Sequence, residues 1–139
     1  MLYLDTSLLV AAVSNEVATV RVQGWLEQQG GPWALSDWSL AEFASALAAK
    51  QRAKELSSED RAGGLRWIDG FGERGAVVWP ISRANFHRAT ELVNGAEIKV
   101  RAADALHLAV AEERGSTLCT LDEEQAKAGT QSGVATLLL

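Results

Sequence analysis

The sequence is short of cysteine, of proline and of long apolar stretches. Its 139 residues include one cysteine and two prolines, so an internal disulfide cannot form and a reducing compartment is expected. No apolar stretch reaches the roughly 20 residues that a membrane-spanning helix needs. The N-terminus also lacks a basic segment ahead of its short apolar run, which argues against a secretion signal. We therefore expect a cytoplasmic protein.

Positive charge is scarce as well. Thirteen Lys and Arg stand against 18 Asp and Glu, which gives a net charge of −5. This balance argues against indiscriminate binding of nucleic acid, because phosphate affinity comes chiefly from clustered basic side chains. Divalent cations bound by some of the acids would reduce the negative charge. The basic groups that would then matter lie in three short stretches: Lys50, Arg52 and Lys54; Arg83 and Arg88; Lys99 and Arg101.

What the sequence does contain is a regular alternation of short apolar segments and helical segments. With 47% hydrophobic residues, the chain can bury one core, so residues 1–139 are predicted to form a single domain. Five apolar runs are predicted strands: 2–4, 33–35, 76–79, 117–121 and 134–138. A loop is expected over residues 96–101. The alternation predicts a mostly parallel sheet of four to five strands, covered by helices on both faces.

Four acidic residues are predicted to lie at one edge of this sheet. Asp5 and Asp122 directly follow strands, and ligands of parallel sheets bind beyond the carboxyl ends of the strands. Glu42 lies about five residues, or roughly 8 Å, into a helix that leaves the same edge. Asp104 is in the first turn of an apolar helix, where only Arg101 and His107 are near enough to balance its charge. We therefore expect the four side chains to converge.

Converging carboxylates repel one another unless some are protonated or a cation neutralises them. Ligation by oxygen alone, without His or Cys at chelating spacing, favours Mg²⁺ or Mn²⁺ over zinc. Metal-assisted hydrolysis of a phosphodiester is the chemistry that fits such a site. Each acid also has a structural explanation: Asp5 and Asp122 as helix caps, Glu42 as a partner of Lys or Arg, and Asp104 as the partner of Arg101. The prediction depends on their joint placement.

The acids lie within four segments: residues 2–10, 39–43, 102–109 and 120–122. In order and spacing these segments resemble the successive motifs of the PIN-domain family, most closely its VapC-type toxin branch. The resemblance implies a PIN-like three-layer α/β/α sandwich and the toxin of a type II toxin–antitoxin system. That toxin would be an endoribonuclease that uses Mg²⁺ or Mn²⁺ and leaves a 5′-phosphate.

The resemblance also assigns roles to residues and implies partners. The catalytic metal ligands would be Asp5, Glu42, Asp104 and Asp122, with Asp5 and Asp104 as the principal pair. The expected partners are an RNA substrate, a cognate VapB-type antitoxin that blocks the active-site groove, and a second copy of the chain in a homodimer.

Four neighbouring side chains have roles that stay open. The hydroxyls of Thr6, Ser7 and Thr120 lie beside the acids, where they could orient a carboxylate or a water, or make ordinary hydrogen bonds. His107 follows Asp104 by three residues on the same predicted helix, so it could pair with that acid. A buried core histidine is an equally good interpretation.

Single sequence features argue against two other functions for an α/β protein that begins with a strand and an aspartate. A phosphatase of the haloacid-dehalogenase type needs a second Asp two residues after the first, where this chain has Ser7. A receiver domain needs paired acids at the first strand and a late lysine, and neither is evident. Two alternatives remain: a catalytically silent PIN-fold module that binds proteins, and a housekeeping PIN nuclease without an antitoxin.

Overall fold

The computed structural model of the chain describes residues 1–95 and 99–139, so the loop expected over 96–101 lies partly outside the described residues. The elements run in this order: β1 (Leu2–Leu4), α1 (Thr6–Val13), α2 (Thr19–Gln29), β2 (Trp33–Ser36), α3 (Asp37–Arg52), α4 (Ser58–Asp69), β3 (Val77–Trp79), α5 (Arg83–Asn94), α6 (Ala102–Arg114), β4 (Thr117–Thr120), α7 (Glu123–Ser132) and β5 (Thr136–Leu138).

The strands form one parallel sheet in the order β3-β2-β1-β4-β5. The chain therefore begins in the centre of the sheet, where Tyr3 pairs with Ala34 on one side and with Leu118 on the other. The predicted α/β class and the parallel sheet are confirmed.

Helices cover the sheet on both faces, and the two-residue period of the strands divides the core between them. Leu4 and Cys119 are buried with residues of α1 to α4. Tyr3 and Leu118 face the other way and are buried with residues of α5, α6 and α7. This division makes the three layers of the fold, and it places Cys119 as a buried, unpaired thiol.

Helix starts follow the capping residues of the sequence. The Ser36 hydroxyl accepts from the Ser39 amide in a capping box at the start of α3, and Ser57 and Ser82 begin α4 and α5 in the same way. Such caps satisfy amides that have no partner inside the helix. Strand boundaries differ from the prediction by one or two residues: the predicted strand 33–35 extends to Ser36, whereas 76–79, 117–121 and 134–138 shorten to Val77–Trp79, Thr117–Thr120 and Thr136–Leu138. Within the described ranges, no helix is both long and apolar enough to cross a membrane.

Candidate active site

The four predicted acids lie near helix N-termini at the carboxyl edge of the sheet. Asp5 caps α1 and Asp122 caps α7. Asp104 lies in the first turn of α6, and Glu42 lies in the second turn of α3, which follows β2 directly. The partial positive charge of a helix N-terminus stabilises carboxylates. Topology thus brings all four acids to the edge where the sequence predicted them.

Asp5 is held rigidly by hydroxyl groups. Only 5% of the residue is exposed. Its Oδ2 accepts from the Ser7 hydroxyl at 2.6 Å and from the Thr120 hydroxyl at 2.9 Å. The Thr120 hydroxyl oxygen in turn accepts from the Asp122 amide at 3.0 Å. Ser7 and Thr120 therefore orient a carboxylate, which was one of the two roles left open for them, and Thr120 connects the caps of α1 and α7.

Glu42 is held by a histidine. Its Oε2 accepts from the Thr6 hydroxyl at 2.8 Å and lies 2.7 Å from Nε2 of His107. The same Nε2 is 3.3 Å from Oδ1 of Asp5. His107 is 1% exposed, so it is buried, as the second interpretation expected, and it also contacts two of the acids. Its ring lies toward the sheet, whereas Asp104 contacts Arg101, so the alternative pairing of His107 with Asp104 is not formed.

Behind His107 lies the buried Tyr3, a residue of the predicted strand 2–4 for which no role at the site was predicted. The Tyr3 hydroxyl is 2.7 Å from Nδ1 of His107 and 2.7 Å from the Ser36 hydroxyl. Burial raises the pKa of Tyr3, so the phenol keeps its proton. A buried tyrosine needs a hydrogen-bond partner, and this was the signal available in the sequence. The sequence could not show that the partner is His107, 104 residues away.

Arg101 connects the other two acids. Its Nε donates to Oδ2 of Asp104 at 2.7 Å, and its Nη2 donates to Oδ2 of Asp122 at 3.0 Å. The pair with Asp104 was expected and the contact with Asp122 was not. Burial raises the pKa of Asp104, the contact with Arg101 opposes this rise, and the charges of Asp122 and Asp5 add to it. Three of the acids therefore share one electrostatic environment.

The fit of a metal ion to these residues depends on Arg101. As the side chains stand, no three potential ligands within residues 1–95 and 99–139 are gathered closely enough to hold an ion. The donor set nevertheless consists of carboxylate and hydroxyl oxygens, which suits Mg²⁺ or Mn²⁺. The guanidinium of Arg101 now bridges two of the carboxylates. Its side chain is 77% exposed, whereas those of Asp104 and Asp122 are 18% and 29% exposed, so water screens these pairs from the Arg101 side. The donor atoms are therefore of the kind that a hard divalent ion prefers, and an ion bound there would have to displace Arg101 and draw the carboxylates together.

Three depressions adjoin along this edge. One of about 320 Å³ includes Asp104 and Asp122, the next, of about 480 Å³, includes Asp122 and Thr6, and the third, of about 580 Å³, includes Thr6 and Glu42. Neighbouring depressions share a lining residue, and three of the four acids line them, Asp104, Asp122 and Glu42. We call this row of adjoining depressions the groove.

Comparison with known protein families matches residues 2–130 to the PIN domain. The chain belongs to the PIN domain family. The resemblance of its four sequence motifs is thereby confirmed, because the match spans all of them. Among curated proteins the sequence matches none.

Several solved structures share the fold of this PIN domain. FitAcB from Neisseria gonorrhoeae is 20% identical with a TM-score of 0.74, covering 99% of this chain and 96% of that one. VapC20 of Mycobacterium tuberculosis, described as a toxin that cleaves the sarcin–ricin loop, is 17% identical with a TM-score of 0.75 and full coverage of both chains, 100% and 100%. VapBC2 from Rickettsia felis, bound to promoter DNA, is 20% identical with a TM-score of 0.72, covering 99% and 98%. At these identities the likeness establishes the fold.

Proposed function

We propose that this PIN domain is a cytoplasmic, metal-dependent endoribonuclease and the toxin of a type II toxin–antitoxin pair. The observation that carries the proposal is the position of Asp5, Glu42, Asp104 and Asp122 at one edge of the sheet, beside the groove. Family membership supports a nuclease. The toxin and toxin–antitoxin complexes among the similar structures support the role as a toxin.

The four acids would hold Mg²⁺ or Mn²⁺, with Asp5 and Asp104 as the principal ligands. When bound, such an ion supplies charge stabilisation for a phosphate and a more acidic water. The protein's own part is to hold these ligands: Ser7 and Thr120 fix Asp5, while Thr6 and His107 fix Glu42. Arg101, once displaced from the carboxylates, lies at the edge of the groove, where its guanidinium suits a phosphate of the RNA.

The proposed partners are an antitoxin and a second copy of the chain. An antitoxin that blocks cleavage would occupy the groove beside the acids. Support for a homodimer comes from α5, where Phe86 is 54% exposed and Val93 is 41% exposed. Both residues line an apolar groove of about 460 Å³. Large exposed apolar side chains of this kind are typical of protein interfaces. Sedimentation of the purified chain tests the dimer.

The nuclease is tested by incubating the purified protein with RNA and Mn²⁺ or Mg²⁺, and by mapping the cut ends. We expect cleavage that leaves 5′-phosphates and stops in EDTA. Asp5→Asn and Asp104→Asn should each lower the rate by about 100-fold or more, since even the partners of metal ligands are worth 10- to 100-fold.

Asp69→Asn is the matched control, because Asp69 is an exposed acid at the end of α4. It should leave cleavage unchanged. Asn is also a good helix cap, so Asp5→Asn should keep the fold, which circular dichroism checks. Cleavage that persists in both site variants, or in EDTA, would overturn the proposal.

The catalytically silent binding module is the second candidate. It is favoured by the pairing of the acids with Arg101 and His107, which leaves no three ligands gathered in the described part of the chain. Titration with Mn²⁺ separates the two functions. If the chain is a nuclease, the wild type should bind Mn²⁺ and a variant substituted at Asp5 should not. If it is a silent module, neither protein should bind the ion.

A further inference from the structure

A buried chain of hydrogen bonds leads from the start of α3 to the active-site carboxylates. The Ser36 hydroxyl contacts the Tyr3 hydroxyl at 2.7 Å, which contacts Nδ1 of His107 at 2.7 Å. On the far side of the ring, Nε2 is 2.7 Å from Oε2 of Glu42 and 3.3 Å from Oδ1 of Asp5. Ser36 and Tyr3 are fully buried, at 0% exposure, and His107 is 1% exposed.

The chemistry of the partners gives this chain one direction. Ionised carboxylates only accept hydrogen bonds, so Nε2, which faces two of them, carries the ring proton. When the ring carries only that proton, Nδ1 is an acceptor and the Tyr3 hydroxyl donates to it. The Ser36 oxygen accepts from the Ser39 amide at 3.1 Å. Its own proton has two acceptors within reach, the Tyr3 hydroxyl at 2.7 Å and the Ser39 hydroxyl at 3.1 Å. The tautomer follows from the network.

We propose that His107 is a positioning residue of the metal site and that Tyr3 fixes its tautomer. The proposal rests on the function proposed above, in which Glu42 and Asp5 hold an ion. His107 and Thr6 both bind Oε2 of Glu42, and among the described residues Oε1 has no hydrogen bond. The carboxylate is thereby held in one orientation with one oxygen available for a cation. Partners that orient metal ligands in this way affect metal affinity strongly.

If His107 only filled the core, the volume of its ring would matter and its tautomer would not. Substitutions that keep a similar volume would then have similar effects, whichever nitrogen they imitate. Two experiments that test each ring nitrogen on its own separate a positioning role from a packing role.

The first experiment measures the tautomer directly. Long-range ¹⁵N–¹H spectra of the full-length, metal-free protein should show His107 protonated at Nε2. In Tyr3→Phe, which keeps the aromatic ring and removes only the hydroxyl, the Nδ1 resonance should shift because its donor is lost. The exposed His87 gives an internal reference that should not change. A wild-type His107 protonated at Nδ1 would overturn the proposal without any variant.

The second experiment measures Mn²⁺ affinity by electron paramagnetic resonance. The His107→Gln amide reaches the position of Nε2 and can still donate to Glu42. The shorter His107→Asn amide reaches only the position of Nδ1. We expect His107→Asn to weaken Mn²⁺ binding by about 10-fold and His107→Gln to keep it within about 3-fold. His87→Gln is the control and should match the wild type.

Each outcome decides a separate question. Equal losses in both His107 variants, or a loss in neither, would make His107 a packing residue and end the proposal. A wild type that binds no Mn²⁺ would end it too, because there would be no ion to position ligands for. A wild type that binds Mn²⁺ with the expected variant pattern but cuts no RNA would sustain the role of His107 and refute the nuclease instead.

Discussion

Replacing Arg101 by glutamine should tighten the binding of a divalent ion, although it removes two ion pairs. The guanidinium donates to Asp104 at 2.7 Å and to Asp122 at 3.0 Å. Both carboxylates are proposed metal ligands, so an incoming ion must first displace the side chain. Without Arg101 this cost disappears, and the repulsion between the guanidinium and the ion disappears with it.

The exposure of Arg101 sets the magnitude. Its side chain is 77% exposed, although those of Asp104 and Asp122 are 18% and 29% exposed. We take the value for solvent-screened ion pairs, about 0.2–1 kcal/mol each. Removing both pairs should therefore favour the ion by roughly 0.4–2 kcal/mol, which corresponds to about 2- to 30-fold in affinity. The free energy of unfolding should fall by no more than about the same amount.

Isothermal titration with Mn²⁺ at low ionic strength is the assay. The gain should shrink at high salt, because salt screens exposed charges. Arg21→Gln is the control: Arg21 is exposed on α2, and the substitution makes the same change in charge. If Arg101→Gln binds Mn²⁺ no better than the wild type while Arg21→Gln behaves normally, Arg101 does not compete for the site and the reasoning fails.

Two further predictions concern the core. A Cβ at Gly129 would overlap Thr136 Cγ2 and lie 3.0 Å from Leu108 Cδ2, while a Cβ at Gly24 would meet nothing within 4 Å. In urea denaturation, Gly129→Ala should lower the free energy of unfolding by about 1–3 kcal/mol, and Gly24→Ala should raise it by about 0.5–1 kcal/mol. Similar effects at both positions would contradict the packing described. Burial raises the pKa of Cys119 to about 12, above the roughly 8.5 of an unfolded thiol. The native protein should therefore resist thiol reagents at pH 8.5, and its stability should fall as the pH rises above that value; rapid modification of the native protein would refute the burial.

The sequence allowed the fold and the place of the acids to be predicted because both depend on local signals. Asp5 and Asp122 each follow a short apolar run, and strands of a parallel sheet end at a common edge. The match to the PIN domain and the observed sheet confirm this part. The role of the acids as metal ligands remains a prediction.

The side-chain partners at the site could not be predicted, since they depend on how separate elements pack. In the sequence Tyr3 is part of a short apolar strand. In the structure its hydroxyl contacts His107, which lies 104 residues later in the chain. Arg101 precedes Asp104 by three residues at the start of α6. Because side chains with this spacing lie on the same face of a helix, the pair could be predicted. Its second contact, with Asp122, arises only because α6 and α7 begin at the same edge.

The proposed function requires that Asp5 and Asp104 share one divalent ion. The most direct test is a crystal of the protein grown with Mn²⁺ and measured for anomalous scattering at the manganese edge. We predict a peak bonded to carboxylate oxygens of both residues, at roughly 2.1 Å as for small hard cations, with Arg101 moved aside. A map without a peak, or with a peak bonded to only one of the two acids, would contradict the account.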